Sequence, residues 1–371
     1  MVKRPSRTAR IGQWLLLASV VAVAWLLASM AGANMARRHM SFGFGFLAGV
    51  ANFDIPFHLI PWSVGDTYFR ALIVCTLNTL LVSVLSIVTA TLIGLVVGVM
   101  RLSENWLVRN LALGFIEVVR NTPQLVQIIF WYVAVLRTLP GPRQSIALPG
   151  GMLLNIRGLY LPTPVLGSRA SVVGLIALAL LVATPVVWRL RWRGLPIGGR
   201  SLVLPVVAAL LAASCIDHVV MPRLQGFNIA NGVQVIPELL ALWAGLSVYA
   251  SAFIAEIVRA AILSVHKGQR EAALSLGLRP RQVLSKIVLP QALRVMVPPL
   301  TSQYLNIIKS SSLGAAVAYP ELFQIFAGTV MQQTDREIET MAILMAIFLS
   351  INLSTSLAMN RYNRRVALRG G

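Results

Sequence analysis

Residues 271–280 read EAALSLGLRP, between two apolar runs each long enough to cross a bilayer. Alanine and leucine are strong helix formers. A glycine admits the left-handed backbone that ends a helix, and a proline suits the first turn of the next one. The stretch predicts a helix over Gln269–Leu276, with Ala272, Ala273 and Leu276 on one side, stopped at Gly277. Pro280 then opens a second helix that presents Val283, Leu284, Ile287 and Val288, and Pro290 is expected to end it before the next apolar run. The product is an elbow whose small alanines let another protein approach closely. The plain alternative is an interfacial linker of the kind any multi-span protein carries.

The surrounding composition sets the environment. Of 371 residues, 57% are hydrophobic and only 12% charged, with mean hydropathy +0.76. Soluble domains carry about 25% charged residues, so the chain reads as an integral membrane protein. Its formal net charge of +20 would suggest nucleic acid in a soluble domain. Here it fits Lys and Arg held on the cytoplasmic side of many spans, and no nucleic-acid partner is expected. Cys75 and Cys215 lie in apolar runs and read as small buried hydrophobes. His39, His58, His218 and His266 are scattered without metal-ligand spacing, so neither a metal site nor a catalytic cluster is expected.

A membrane helix needs roughly 20 mostly apolar residues. Eight stretches qualify, at 12–31, 69–99, 110–136, 171–188, 201–220, 235–262, 297–318 and 339–359. The first follows Lys3, Arg4, Arg7 and Arg10, as a secretory signal would, but Met35-Ala36-Arg37-Arg38 is a poor cleavage site, and the helix is read as retained. Basic residues concentrate in 1–11, 100–109, 189–200, 263–296 and 360–371, whereas Asp54, Asp66, Glu321, Asp335 and Glu337 fall in the alternate segments. That asymmetry places both termini inside. The Gly- and Pro-rich residues 137–170 read as an external loop, and the aromatic, glycine-spaced stretch 40–68 as an outer interfacial segment. The expected divisions are 1–66, an N-terminal helix and periplasmic segment; 67–137, the first part of a core; 138–233, an inserted periplasmic loop with two extra helices; 234–362, the second part of the core with the elbow at 266–296; and 363–371, a basic tail.

Charges inside spans are costly and face a bundle interior or a pathway. Glu117/Arg120 and Glu256/Arg259 are each three residues apart, on one helical face, and read either as intrahelical ion pairs or as lining. Asn121-Thr122-Pro123 follows the first pair, and a mid-span proline lets a helix bend. Asn306, Lys309, Ser310, Ser311, Ser312 and Gly314 form the most polar intramembrane run. Its lysine is suited to balance a substrate carboxylate or Glu256. Gln124, Tyr249 and Ser251 complete the candidate polar lining.

From Glu271 the pattern runs Glu-Ala-Ala, three residues, Gly277, nine residues, Ile287, one residue, Leu289-Pro290. This resembles the EAA loop of the permease subunits of bacterial ATP-binding-cassette (ABC) importers, with every motif position filled. Residues 117–133 (EVVRNTPQLVQIIFWYV), 249–270 (YASAFIAEIVRAAILSVHKGQR) and 298–314 (PPLTSQYLNIIKSSSLG) look like the polar amino-acid branch of that family. The resemblance covers about 69–136 and 235–360. The N-terminal addition, with GFGFL and FDI near 43–55, and the central insertion resemble the long permease subunits of general L-amino-acid importers. The resemblance implies an all-α integral membrane protein, with about eight transmembrane helices around a five-helix type I ABC importer permease (MetI-like) core. It implies that Glu271, Ala272, Ala273, Gly277, Ile287, Leu289 and Pro290 dock on a cytoplasmic ATPase dimer. A second, non-identical permease subunit and a periplasmic amino-acid-binding protein are implied with it. The chain has no GxxxxGK[ST] run, so no cofactor is expected on it, and ATP with Mg belongs to the partner. An ion-coupled secondary transporter would show an inverted repeat with acidic residues mid-membrane, and no clear repeat is visible. A membrane enzyme would need the catalytic cluster that the scattered histidines do not supply.

Overall fold

In the computed structural model the described residues are 7–37, 43–167, 207 and 216–366. Helix α1 (Arg7–Arg37) contains the first predicted span. Helix α2 (Tyr68–Met100) opens on Thr67, whose hydroxyl accepts the Arg70 amide at 3.3 Å. Helix α3 (Trp106–Asn121) opens on Asn105, which caps the amides of Leu107 and Val108. A break at Thr122-Pro123 separates it from α4 (Gln124–Leu136), whose second half is π-helical. The predicted span 110–136 is therefore two helices. Helix α5 (Pro237–Leu263) starts on a proline with Glu238 in its first turn, as the helix dipole favours. Next come α6 (Lys267–Ser275) and the long α7 (Pro280–Val317), then a helix over 322–334, here α8, and α9 (Glu337–Val366). Among the described residues, four helices are long and apolar enough to cross a membrane: α2, α5, α7 and α9. The predicted span at 171–188, most of that at 201–220, Cys215 and His39 lie outside the described residues.

The helical bundle closes around α2 and α5. On α2, Ser86, Ala90, Gly94 and Gly98 recur every four residues and are buried. A Cβ built on Gly94 would stand 2.6 Å from Ile254 Cγ2, and one on Gly98 would stand 2.7 Å from the Ala255 carbonyl oxygen. Small residues thus let the two backbones approach closely, the main source of helix association where lipid removes the hydrophobic drive. Three buried clusters follow along these helices. Ala51, Ile55, Cys75, Leu322 and Phe326 pack at one end. Val82, Ile128, Leu242 and Tyr319 pack in the middle. Ile254, Val258, Ala273, Val283 and Ala292 pack beside the elbow. Outward, Val84, Val88, Leu92 and Val96 on α2 and Met345, Leu349, Leu353 and Leu357 on α9 form exposed apolar stripes, as a helix facing lipid requires.

Of residues 137–170, read as a loop, the described part 137–167 carries four short strands. Strands β1 (Ile146–Leu148), β2 (Met152–Asn155) and β3 (Gly158–Leu161) pair antiparallel in sequence, and β8 (Val233–Val235) joins β3. Strands β4 (Thr163–Leu166) and β5 (Ile216–Val220) form a ribbon, and β6 (Arg223–Gln225) and β7 (Asn228–Ala230) a hairpin. Residues 216–220, assigned from sequence to the end of a span, are a strand. The β-branched run Ile216–Val220, interrupted by Asp217 and His218, pairs with β4 instead of continuing a helix.

Candidate functional site

The elbow is built as a Schellman motif. Gly277 takes φ 80°; its amide donates to the Leu274 carbonyl at 2.9 Å, and the Leu278 amide reaches back to the Ala273 carbonyl at 3.2 Å. His266 opens α6, its Nδ1 accepting the Gly268 amide. Pro280 stands in the first turn of α7, where Gln282 Oε1 accepts the Arg279 amide at 3.0 Å. Ala273, Val283 and Val288 face inward, with Leu278 and Ile287 packed against the same cluster. Glu271, Ala272, Leu276 and Pro290 face outward, and Leu276 at the tip is 83% exposed. Ala273 is buried while Ala272 and Leu276 are exposed, so the three do not present one open face together as expected. The elbow is tied to the bundle by Arg270, which donates to the Ile262 carbonyl at the end of α5 at 2.9 Å. Gln291 bonds Gln269 across the two arms.

Pro290 does not end the second arm. The helix runs from Pro280 into the membrane through a π-turn at Leu284–Val288 and on as Leu289–Ser310. A proline lacks an amide and crowds the carbonyl four residues back. The wider π-turn preceding it absorbs that defect.

The intramembrane polar residues fall on two kinds of surface. Glu256 and Arg259 pair at 3.0 Å. Glu117 and Arg120 do not form the expected pair. Asn121 Nδ2 donates to the Glu117 carboxylate at 3.2 Å and to its carbonyl at 2.8 Å, while the Arg120 guanidinium stacks on Phe253, 5.2 Å from the ring centre. Phe253 in turn contacts Tyr249 at 5.0 Å. Residues 249, 253 and 256 share one face of α5, so the Glu117–Asn121 pair, the Arg120–Phe253–Tyr249 stack and Glu256 form a polar–aromatic strip on the flank of the bundle. Asn306 and Lys309 are exposed on α7, and Lys309 pairs with no carboxylate among the described residues. Gln124 is half-buried beside the break.

Four candidates donate to backbone carbonyls three or four residues back in their own helices. Thr122 donates to Val118 O (2.7 Å), Ser251 to Val248 O (2.7 Å), Ser311 to Ile308 O (2.7 Å) and Ser312 to Lys309 O (2.9 Å). Ser251 and Ser311 are fully buried, while Ser310 is half-buried at the end of the α-helical part of α7. Gly314 is packed so closely that a Cβ would meet Leu242 at 2.8 Å and Glu321 at 3.2 Å.

Sequence reasoning missed two polar anchors. Gln127 is buried and bridges the proline break, donating to Val119 O (2.8 Å) and Thr122 O (3.1 Å). Glu321, assigned only to an external segment, is fully buried between the spans and caps α8. One carboxylate oxygen accepts the Phe323 amide at 2.7 Å, the other the Gln324 amide at 2.6 Å. Beside it Thr79 accepts the Leu322 amide, and Asn78 donates to Pro320 O. The readable signal of Glu321 was an acid following proline at the start of an apolar helix.

A bundle of apolar spans with an exposed elbow at one end and a polar strip along its flank is the frame of an integral membrane protein. The profile of the binding-protein-dependent transport system inner membrane component family matches residues 90–368. The chain is 47% identical to the putative amino-acid ABC transporter permease protein YhdX of Escherichia coli K12, over 98% of this chain and 95% of that protein. It is 42% identical to the general L-amino acid transport system permease protein AapQ of Rhizobium johnstonii, over 96% and 91% respectively. A crystal structure of an amino acid ABC transporter with histidines aligns over 80% of this chain and 95% of that one, with 21% identity and a TM-score of 0.50, a likeness of fold. The chain belongs to the binding-protein-dependent transport system inner membrane component family, and it is an ABC importer permease.

Proposed function

We propose that the chain carries L-amino acids across the bacterial inner membrane by alternating access, driven by ATP hydrolysed on separate subunits. The observation that carries this reading is the elbow: a glycine-turned pair of helical arms with Leu276 exposed at its tip, anchored through Arg270 to the end of α5. In this reading Glu271, Ala272, Ala273, Gly277, Ile287, Leu289 and Pro290 engage a groove on a cytoplasmic ATPase dimer that holds ATP and Mg. Both termini then lie in the cytoplasm and the β-sheet in the periplasm. The exposed Glu117, Arg120 and Asn121 and the half-buried Tyr249, together with Asn306 and Lys309, face a second, non-identical permease subunit. Substrate passes between the two, and a zwitterion meets both polar signs on its way. A periplasmic amino-acid-binding protein delivers it. The relatives whose names specify amino-acid transport support the substrate class.

The test is reconstitution of the chain with its ATPase, second permease and binding protein in liposomes. Uptake of labelled L-amino acids is expected only with ATP on the elbow side and binding protein on the other. Uptake by this chain without an ATPase, driven by an ion gradient alone, would overturn the reading.

A further inference from the structure

The hairpin β6–β7 turns on Gly226 and Phe227. Gly226 takes φ 64°, which suits the first central residue of a type II′ turn, and the turn holds Phe227 outward, 71% exposed. Two arginines from elsewhere in the chain converge on this tip. Arg143, in the short 3-10 turn Pro142–Gln144, lays its guanidinium on the Phe227 ring, 3.9 Å from the centre. Arg157, in the turn between β2 and β3, donates to Asn228 Oδ1, and its carbonyl accepts from Gln234 Nε2 at 2.8 Å. Arg137 and Arg223 are also exposed on these segments. Against four arginines, residues 137–167 and 216–235 hold one acid, Asp217, which pairs with His218 at 3.3 Å.

Two guanidiniums held at adjacent residues repel each other, and no described carboxylate offsets them. An arrangement that costs energy alone and presents an exposed aromatic ring, one cation stacked on it and a second bonded to the next residue, is complementary to an anionic surface. Aromatic and arginine side chains are also the types that dominate interface energetics. The stacking on Phe227 and the hydrogen bond to Asn228 hold both arginines in place before any partner arrives, which lowers the ordering cost of association. The sheet joins α5 at its first residues and the elbow leaves from its last. A 27-residue helix, about 40 Å long, therefore separates this tip from the ATPase side.

We propose that the Phe227 tip, flanked by Arg143 and Arg157, is a docking point for an acidic face of the soluble binding protein that serves this importer. This rests on the reading given under Proposed function.

The experiment uses the complete transporter in nanodiscs and measures binding-protein affinity across a salt series. The pair R143E/R157E is expected to weaken binding at least about tenfold at low salt and to flatten its salt dependence, and R143K/R157K, which keeps the charge, to stay within about threefold of the wild type. Unchanged affinity in the glutamate pair would overturn the proposal. So would an equal loss in the lysine pair, or a loss confined to bilayers rich in anionic lipid, which would make the tip a headgroup site. If the wild-type transporter binds no binding protein at all, the importer reading itself fails, and the docking point with it.

Discussion

Gly277 works through its backbone alone. It sits at φ 80°, and no atom lies within 4 Å of where its Cβ would be. The left-handed region costs an ordinary L-residue roughly 1–2 kcal/mol, more for a β-branched one and less for asparagine. Gly277→Val is therefore expected to separate ATP hydrolysis from uptake in the reconstituted transporter, whereas Gly277→Asn keeps most of the coupling. Equal ratios of transport to hydrolysis in both variants would mean that the turn does not carry the motion. Glu321 makes a prediction of opposite character, because its environment and not its backbone is special. Its two carboxylate oxygens accept the Phe323 and Gln324 amides in a fully buried site. Glu321→Gln, whose single amide oxygen keeps one of those two bonds, is expected to lower stability by about 1–3 kcal/mol. Thermal melting of the purified variant beside the wild type checks this, and an unchanged Tm would mean that the cap carries no stability.

Among the elements, the α2–α5 seam is the most demanding. A methyl on Gly94 meets Ile254 at its Cγ2 and Cβ, with the Ser251 carbonyl 3.0 Å away, whereas a methyl on Gly98 meets the Ala255 carbonyl oxygen and the Val258 side chain. Both alanine variants are expected to lower stability by about 1–3 kcal/mol. Ile254→Ala should recover part of the loss for Gly94→Ala and none for Gly98→Ala, because no side-chain truncation removes a backbone oxygen. A thermal-shift series on the four variants checks this. The seam also marks where sequence was readable. The extents of α2, α5 and α9 follow from apolar length, and the break at Thr122-Pro123 from the proline. The elbow follows from glycine and proline at fixed offsets. The external strands did not announce themselves, since at three to five residues each they are too short for alternation to register among glycines and prolines. The Glu117/Arg120 spacing was correct for a pair, yet an aromatic from a neighbouring helix and an amide from the next turn took the two partners. Periodicity along one helix carries no information about either competitor. Glu321 and Gln127 were hidden for the same reason, because what makes them special is tertiary.

For the whole molecule, the separation of the Phe227 tip from the Leu276 tip along α5 makes a topological prediction. With Cys75 and Cys215 replaced by alanine, Phe227→Cys is expected to react with a membrane-impermeant maleimide from the periplasmic side, and Leu276→Cys only once the inner membrane is permeabilised. Labelling of both from one side would contradict the arrangement. The ribbon β4–β5 has a different kind of consequence. Thr163 and Val220 stand opposite each other in this ribbon, neighbouring strands being roughly 5 Å apart. Everything between enters and exits through one narrow doorway. A single genetic event could therefore splice this segment in or out, with a two-residue turn closing the gap and without redirecting any of the described helices. Long and short versions of such a permease can thus descend from one another by cassette exchange, and a protein engineer could graft a foreign domain at the same doorway.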